Sequence, residues 1–149
     1  MEKTKTFITN YRKYYTKLTK SDNILFSGDL NGRIENVENH NILGSSGEPV
    51  TNTNGLRLRD FATYNNLKIM NSFYKHKNIH TYIQSTCNSK TVIDYFTANR
   101  NLSELFLDFR VHRGSDVGSG YFLTLVKLRI PTKWWNAALK ENIVHCKIR

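Results

Sequence analysis

An α/β (α+β) chain is what this sequence predicts, on three observations. Short apolar runs such as Ile24 to Ser27 and Tyr121 to Leu128 are bounded by Gly, Asn, Ser or Pro, the pattern of strands. Two other stretches, Lys5 to Lys20 and Asn54 to Tyr64, place their apolar residues at helical spacing. Hydrophobic residues make up 39% and charged residues 23% of the 149, a balance that suits a packed globular chain and excludes a disordered one.

The first helix is amphipathic, with Phe7, Ile8, Tyr11, Tyr14, Tyr15 and Leu18 on one face and most Lys and Arg on the other. Ser21 and Asp22 break it before the strand Asn23 to Ser27. Gly32 to Thr53 is polar, carries Gly44, Gly47 and Pro49, and reads as a long surface loop. Asn54 is the expected cap of the second helix, whose Leu56, Leu58, Phe61, Ala62 and Tyr64 face inward; Asn65-Asn66 ends it. Strands are expected at Leu67 to Phe73, Ile79 to Gln84 and Thr91 to Ala98. A helical turn near Leu102 to Phe106 leads into Leu107 to His112, where Leu107, Phe109 and Val111 alternate with polar residues. Tyr121 to Leu128 is apolar on both sides and reads as a central strand, closed by Pro131. The tail from Thr132 holds Trp134, Trp135, Leu139 and Ile143, and forms a short amphipathic helix at most. Residues 1–131 are therefore read as one domain and 132–149 as a tail of unassigned role.

The formal net charge is +10, from 22 Lys+Arg against 12 Asp+Glu, which favours polyanionic partners such as DNA or RNA. A merely lysine-rich surface gives the same balance. No apolar run is long enough to span a bilayer, and Met1 to Lys5 lacks a signal peptide's apolar segment, so no membrane role is expected. Cys87 and Cys146 are far apart without metal-ligand spacing and read as reduced thiols, which sets the expected location as intracellular, cytoplasmic or nuclear. His40, His76, His80 and His145 form no ligand pattern. Arg57, Arg59, Arg100, Arg110 and Arg113 are candidates for a phosphate groove, and an ordinary solvated face explains them equally well.

The stretch with chemistry in it is Ile24-Leu25-Phe26-Ser27-Gly28-Asp29-Leu30-Asn31. Alternation along a strand end would turn Asp29 and Asn31 to one side, a carboxylate able to accept a proton and an amide able to hold a charged oxygen. A strand followed by ordinary turn residues is the bland alternative. Three further segments follow in order: Asn54 to Leu58 with Asn66 to Asn71, then Thr81-Tyr82, then Val92-Ile93-Asp94-Tyr95-Phe96.

Together these segments resemble the C-terminal half of the endonuclease/exonuclease/phosphatase superfamily. The resemblance is strongest to LINE-type retrotransposon endonuclease domains and craniofacial development protein 2-like sequences. It runs from about residue 20 to about residue 130 and implies part of a four-layer α/β/β/α sandwich, mainly its second sheet with the attached helices. It also implies a Mg²⁺-dependent phosphodiesterase. Asp29 matches the residue that orients or deprotonates water, Asn31 the one that holds the scissile phosphate, and Asp94 the one that orients a catalytic His. Thr81 matches a Thr at the site's edge and is grouped with Asn31 as substrate-binding. Asp108 to Ser119 looks like the approach to the last motif, which in active members is Ser-Asp-His.

Here that triplet is Ser119-Gly120-Tyr121, so the metal-side carboxylate and the imidazole are both replaced. Gly120 can neither bind metal nor accept a proton, and the Tyr121 phenol, able to bond Asp94, cannot serve as an imidazolium near neutral pH. Asp116 and His112 are poorly placed to substitute. The family's first half, with its Asn and metal-binding Glu, has no match in this chain. A catalytically impaired, truncated endonuclease domain that still binds DNA or RNA is therefore the leading expectation, with Mg²⁺ binding unfavourable. An active Mg²⁺-dependent endonuclease using Asp29, Asn31 and Asp94, and a non-enzymatic α/β interaction module, are the alternatives. Half of a two-sheet fold would leave an apolar face for self-association or a partner chain.

Overall fold

The computed structural model describes residue 15 and residues 23–37, 41–113 and 119–132. The expected helix over 5–20, apart from Tyr15, lies outside the described residues, as do Asp116 and the tail from residue 133 with its tryptophans. In order, the elements are β1 (Leu25–Asp29), α1 (Thr53–Tyr64), β2 (Leu67–Ile69), a 3₁₀ turn (Met70–Phe73), β3 (Tyr82–Gln84) and β4 (Ser89–Thr91). They continue with β5 (Asp94–Asn99), α2 (Arg100–Ser103), β6 (Phe106–His112) and β7 (Leu123–Leu128). The fold is α+β: β5 lies between β1 and β2 in one antiparallel sheet, and β3–β4 and β6–β7 form two-stranded pairs.

α1 starts where Asn52, in extended conformation, accepts the Gly55 amide on its side chain. The cap is thus Asn52 and not Asn54, because only the residue just outside the first turn can turn its side chain back onto that turn's amides. Leu58, Phe61 and Ala62 are buried, whereas Leu56 and Tyr64 are exposed, Tyr64 to 82%. The apolar stripe is narrower than the sequence suggests, since solvent-facing Leu and Tyr are ordinary on helices. Asn65 ends the helix with backbone and side-chain bonds to the Phe61 carbonyl, and Asn66 turns the chain at φ 52.

Leu58, Phe61 and Ala62 pack on Leu67, Ile69 and Tyr95 of the sheet, with Tyr15 and Phe26 at the edge of the cluster. Tyr15 meets both Phe26 and Phe61 at ring separations near 6.2–6.4 Å and donates its hydroxyl to the Asn65 carbonyl at 2.9 Å. A second cluster gathers Met70, Ala98, Leu102 and Phe106.

Three expected strands are shorter or split. Leu67–Phe73 becomes β2 plus the 3₁₀ turn, because Ser72 bonds back to the Ile69 carbonyl and Asn71 turns its amide to β5. Ile79–Gln84 keeps only Tyr82–Gln84 as strand, and Thr91–Ala98 divides into β4 and β5 around buried Val92 and Ile93. In β6 a bulge between Phe106 and Asp108 breaks the alternation, so Phe106 is buried and Leu107 is exposed. β7 is no central strand among the described residues: it pairs with β6, and Leu123 and Leu125 face outward, 48% and 46% exposed. An apolar run has the same sequence pattern whether or not a neighbouring strand covers its second face.

The segment 32–53 is likewise no idle surface loop. Ile34, Ile42 and Leu43 are core residues, and the Glu48 carboxylate, 2% exposed, accepts from the Val92 amide and the Arg33 guanidinium. Backbone bonds between Ile34, Asn36 and Glu48 close the loop on itself. Polarity misleads here because the few apolar residues that anchor the loop are widely spaced.

Candidate functional site

The site lies where β1 ends and β5 begins. Antiparallel register sets Asp29 directly opposite Asp94, so two carboxylates share the last rung of the ladder and one face of the sheet. Like charges placed there oppose each other, and burial adds to the cost of charging the inner one. Burial pushes the Asp94 carboxyl above the usual carboxylate range; a hydrogen bond with Thr81 works against this and the Asp29 charge adds to it. Asp94 Oδ2 is buried without a hydrogen-bond partner among the described residues.

Two buried polar side chains fix Asp94 by its backbone. Thr81 Oγ1 accepts the Ile93 amide at 3.0 Å and the Asp94 amide at 3.1 Å. On the other side Asn71 donates Nδ2 to the Asp94 carbonyl at 2.9 Å and accepts the Phe96 amide at 2.8 Å. Thr81, expected at the site's edge, is 0% exposed, so its side chain lies beneath the site. Asn71 received no role from the sequence. Its signal was a polar residue shortly after a strand whose Leu67 and Ile69 are buried, where an amide needs partners.

We predict that Thr81→Val, equal in shape but without the acceptor, lowers stability by about 2 kcal/mol by orphaning buried amides. Urea denaturation measures it, and an unchanged midpoint would show that Thr81 does not hold this corner.

Asn31 reaches its place by a turn and not by strand alternation. Its amide donates to Asp29 Oδ1 at 2.9 Å, an Asx turn, and its φ of 46 lies in the left-handed region that Asn tolerates. Asn52 and Asn54 both donate side-chain amides to the Asn31 carbonyl, at 3.1 and 3.2 Å, and so tie this turn to the start of α1. Asn31 is exposed beside Asp29.

Tyr121 completes the cluster from far along the chain. Its hydroxyl donates to Asp29 Oδ2 at 3.1 Å, and not to Asp94, while its ring lies 4.8 Å from that of Tyr82. Burial and then the Asp29 charge push the phenol above its ordinary range, so it keeps the proton that it donates. Gly120 makes this docking possible: with φ +75 its backbone approaches β3, and its carbonyl accepts the Ile83 amide at 2.9 Å.

No protein-family model matches the chain. A curated protein of Bos taurus, craniofacial development protein 2, is 26% identical over 116 residues, 76% of this chain and 20% of that protein. The chain spans about a fifth of that relative's length. This is a distant likeness over part of the chain.

Magnesium calls for several oxygens turned to one point. Among the described residues no three His, Cys, Asp or Glu side chains gather in that way. The Asp29 oxygens accept from Asn31 and Tyr121, and Asp94 Oδ2 is buried.

Four of the five arginines named as groove candidates each have a partner of their own. Arg57 bonds Asn54, Arg100 pairs with Glu104, Arg110 pairs with Asp108, and Arg113 lies 5.7 Å over the Phe122 ring. What the cluster can do is accept hydrogen bonds at Asp29, present the Asn31 amide beside it, and offer a tyrosine ring held at both ends.

Proposed function

We propose that this chain is an endonuclease/exonuclease/phosphatase-type segment of the LINE retrotransposon kind, impaired in phosphodiester cleavage and able to bind nucleic acid. The ordered motifs support it, as does the distant likeness to craniofacial development protein 2. The observation that carries the impairment is the Tyr121 hydroxyl on Asp29, at the sequence position where the family's imidazole would stand.

In that family's chemistry Asp29 would activate water, Asn31 would hold the phosphate, and Asp94 would orient a charged imidazole. Tyr121 supplies a neutral phenol in its place. A phenol donates one hydrogen bond but brings no positive charge to offset the charge developing on phosphate. It also ties up the carboxylate that would take the water's proton. The paired carboxylates Asp29 and Asp94 then repel phosphate without an opposing cation among them. Nucleic-acid binding rests instead on the net charge of +10.

The test is nicking of supercoiled plasmid by the folded protein, with Mg²⁺ and with EDTA, beside Asp29→Ala. The expected result is no cleavage above that variant in either condition. Metal-dependent nicking that Asp29→Ala abolishes would replace this proposal with an active endonuclease using Asp29, Asn31 and Asp94.

A further inference from the structure

Residues 120–122 lie along β3 through an isolated antiparallel bridge at the edge of the β3–β4 pair. The Ile83 amide donates to the Gly120 carbonyl at 2.9 Å, the Phe122 amide donates to the Thr81 carbonyl at 2.8 Å, and Tyr82 faces Tyr121 across the bridge. The Tyr121 ring is therefore held twice, by Tyr82 at 4.8 Å and by Asp29 through its hydroxyl. A residue so restrained is usually buried, yet Tyr121 remains 39% exposed. An aromatic ring fixed at the surface loses little conformational freedom when something flat stacks on it.

The electrostatics decide what that is. Negative charge at Asp29, in contact with the Tyr121 hydroxyl, disfavours a phosphate at the ring, while the chain as a whole carries +10 and attracts a phosphate backbone. A base at the ring with its backbone directed away satisfies both. Bases within a duplex are stacked on each other and offer no face, so the partner is single-stranded.

We infer that Tyr121, its ring tilted against that of Tyr82 beside Asp29, is the contact for an unpaired base of single-stranded nucleic acid. This rests on the nucleic-acid binding proposed above and names its substrate class.

Fluorescence anisotropy of a labelled oligothymidylate of about fifteen nucleotides, against a duplex of the same length, tests it on the full chain. The expected result is preference for the single strand, about tenfold weaker binding by Tyr121→Leu, and binding within about twofold of wild type by Tyr121→Phe, which keeps the ring. Ultraviolet cross-linking of the same oligonucleotide to the wild-type chain, followed by peptide mapping, should place the adduct on Tyr121 or Tyr82, and needs no variant to fold. Equal binding by Tyr121→Leu, or adducts confined to other peptides, overturns the inference and leaves nucleic-acid binding standing. No binding of any oligonucleotide at about 50 mM salt, where phosphate contacts are strongest, overturns both.

Discussion

Glu48→Ala is expected to lower the unfolding free energy by about 3–5 kcal/mol, the cost of removing one partner from a buried charge pair. One Glu48 oxygen takes the buried Val92 amide and the other takes Arg33, so alanine leaves an orphaned N–H and a half-buried guanidinium facing a cavity. The side chain of the same residue ties segment 32–53 to Val92 just before β5, while its backbone bonds to Ile34 and Asn36 close the segment on itself. Glu48→Gln keeps an acceptor for Val92 and loses only the charge, so it should retain at least half of the lost stability. A urea midpoint for Glu48→Ala within experimental scatter of wild type would mean that the loop is not anchored there.

Gly120→Ala is expected to cost about 2–3 kcal/mol. Left-handed backbone costs an L-residue about 1–2 kcal/mol, and losing one backbone hydrogen bond adds about 1 kcal/mol. At φ +75 an added Cβ would sit 2.5 Å from the Ile83 carbonyl oxygen and 3.2 Å from the Tyr82 ring, so the segment has to leave β3. Hydrogen exchange at the Ile83 amide, which donates to Gly120, should accelerate in step with the lost stability. If that amide stays protected, the docking of residues 120–122 on β3 does not depend on glycine. The same geometry bears on repair of the site. Gly120→Asp would introduce the carboxylate of the motif that the proposed function invokes, but its Cβ meets the same carbonyl, so that substitution alone would displace Tyr121.

The parts of the fold legible in the sequence were those encoded within a turn or two of the chain. Helix α1 showed itself through the spacing of Leu58, Phe61 and Ala62, and β1 through the apolar run Ile24 to Ser27, although the strand itself continues to Asp29. Even so, the cap was misplaced from Asn52 to Asn54, because adjacent asparagines offer equivalent chemistry and only the chain direction selects one. Loop 32–53 was misread because one buried Glu and three apolar anchors among many polar residues have no period. Strand β7 was overread because solvent-facing Leu123 and Leu125 resemble buried ones in a linear string.

By itself the sequence determined that the chain mixes short strands with helices and that Tyr, not His, occupies position 121. Composition, periodicity and residue identity suffice for these, since each depends on neighbours a few positions away. Only the tertiary structure decided which groups meet: Asp29 opposite Asp94 by register, Thr81 and Asn71 beneath them, and Tyr121 on Asp29 across 92 residues of chain. Such meetings depend on where strands pair and how the chain returns, and a single residue of slip would turn each side chain to the opposite face.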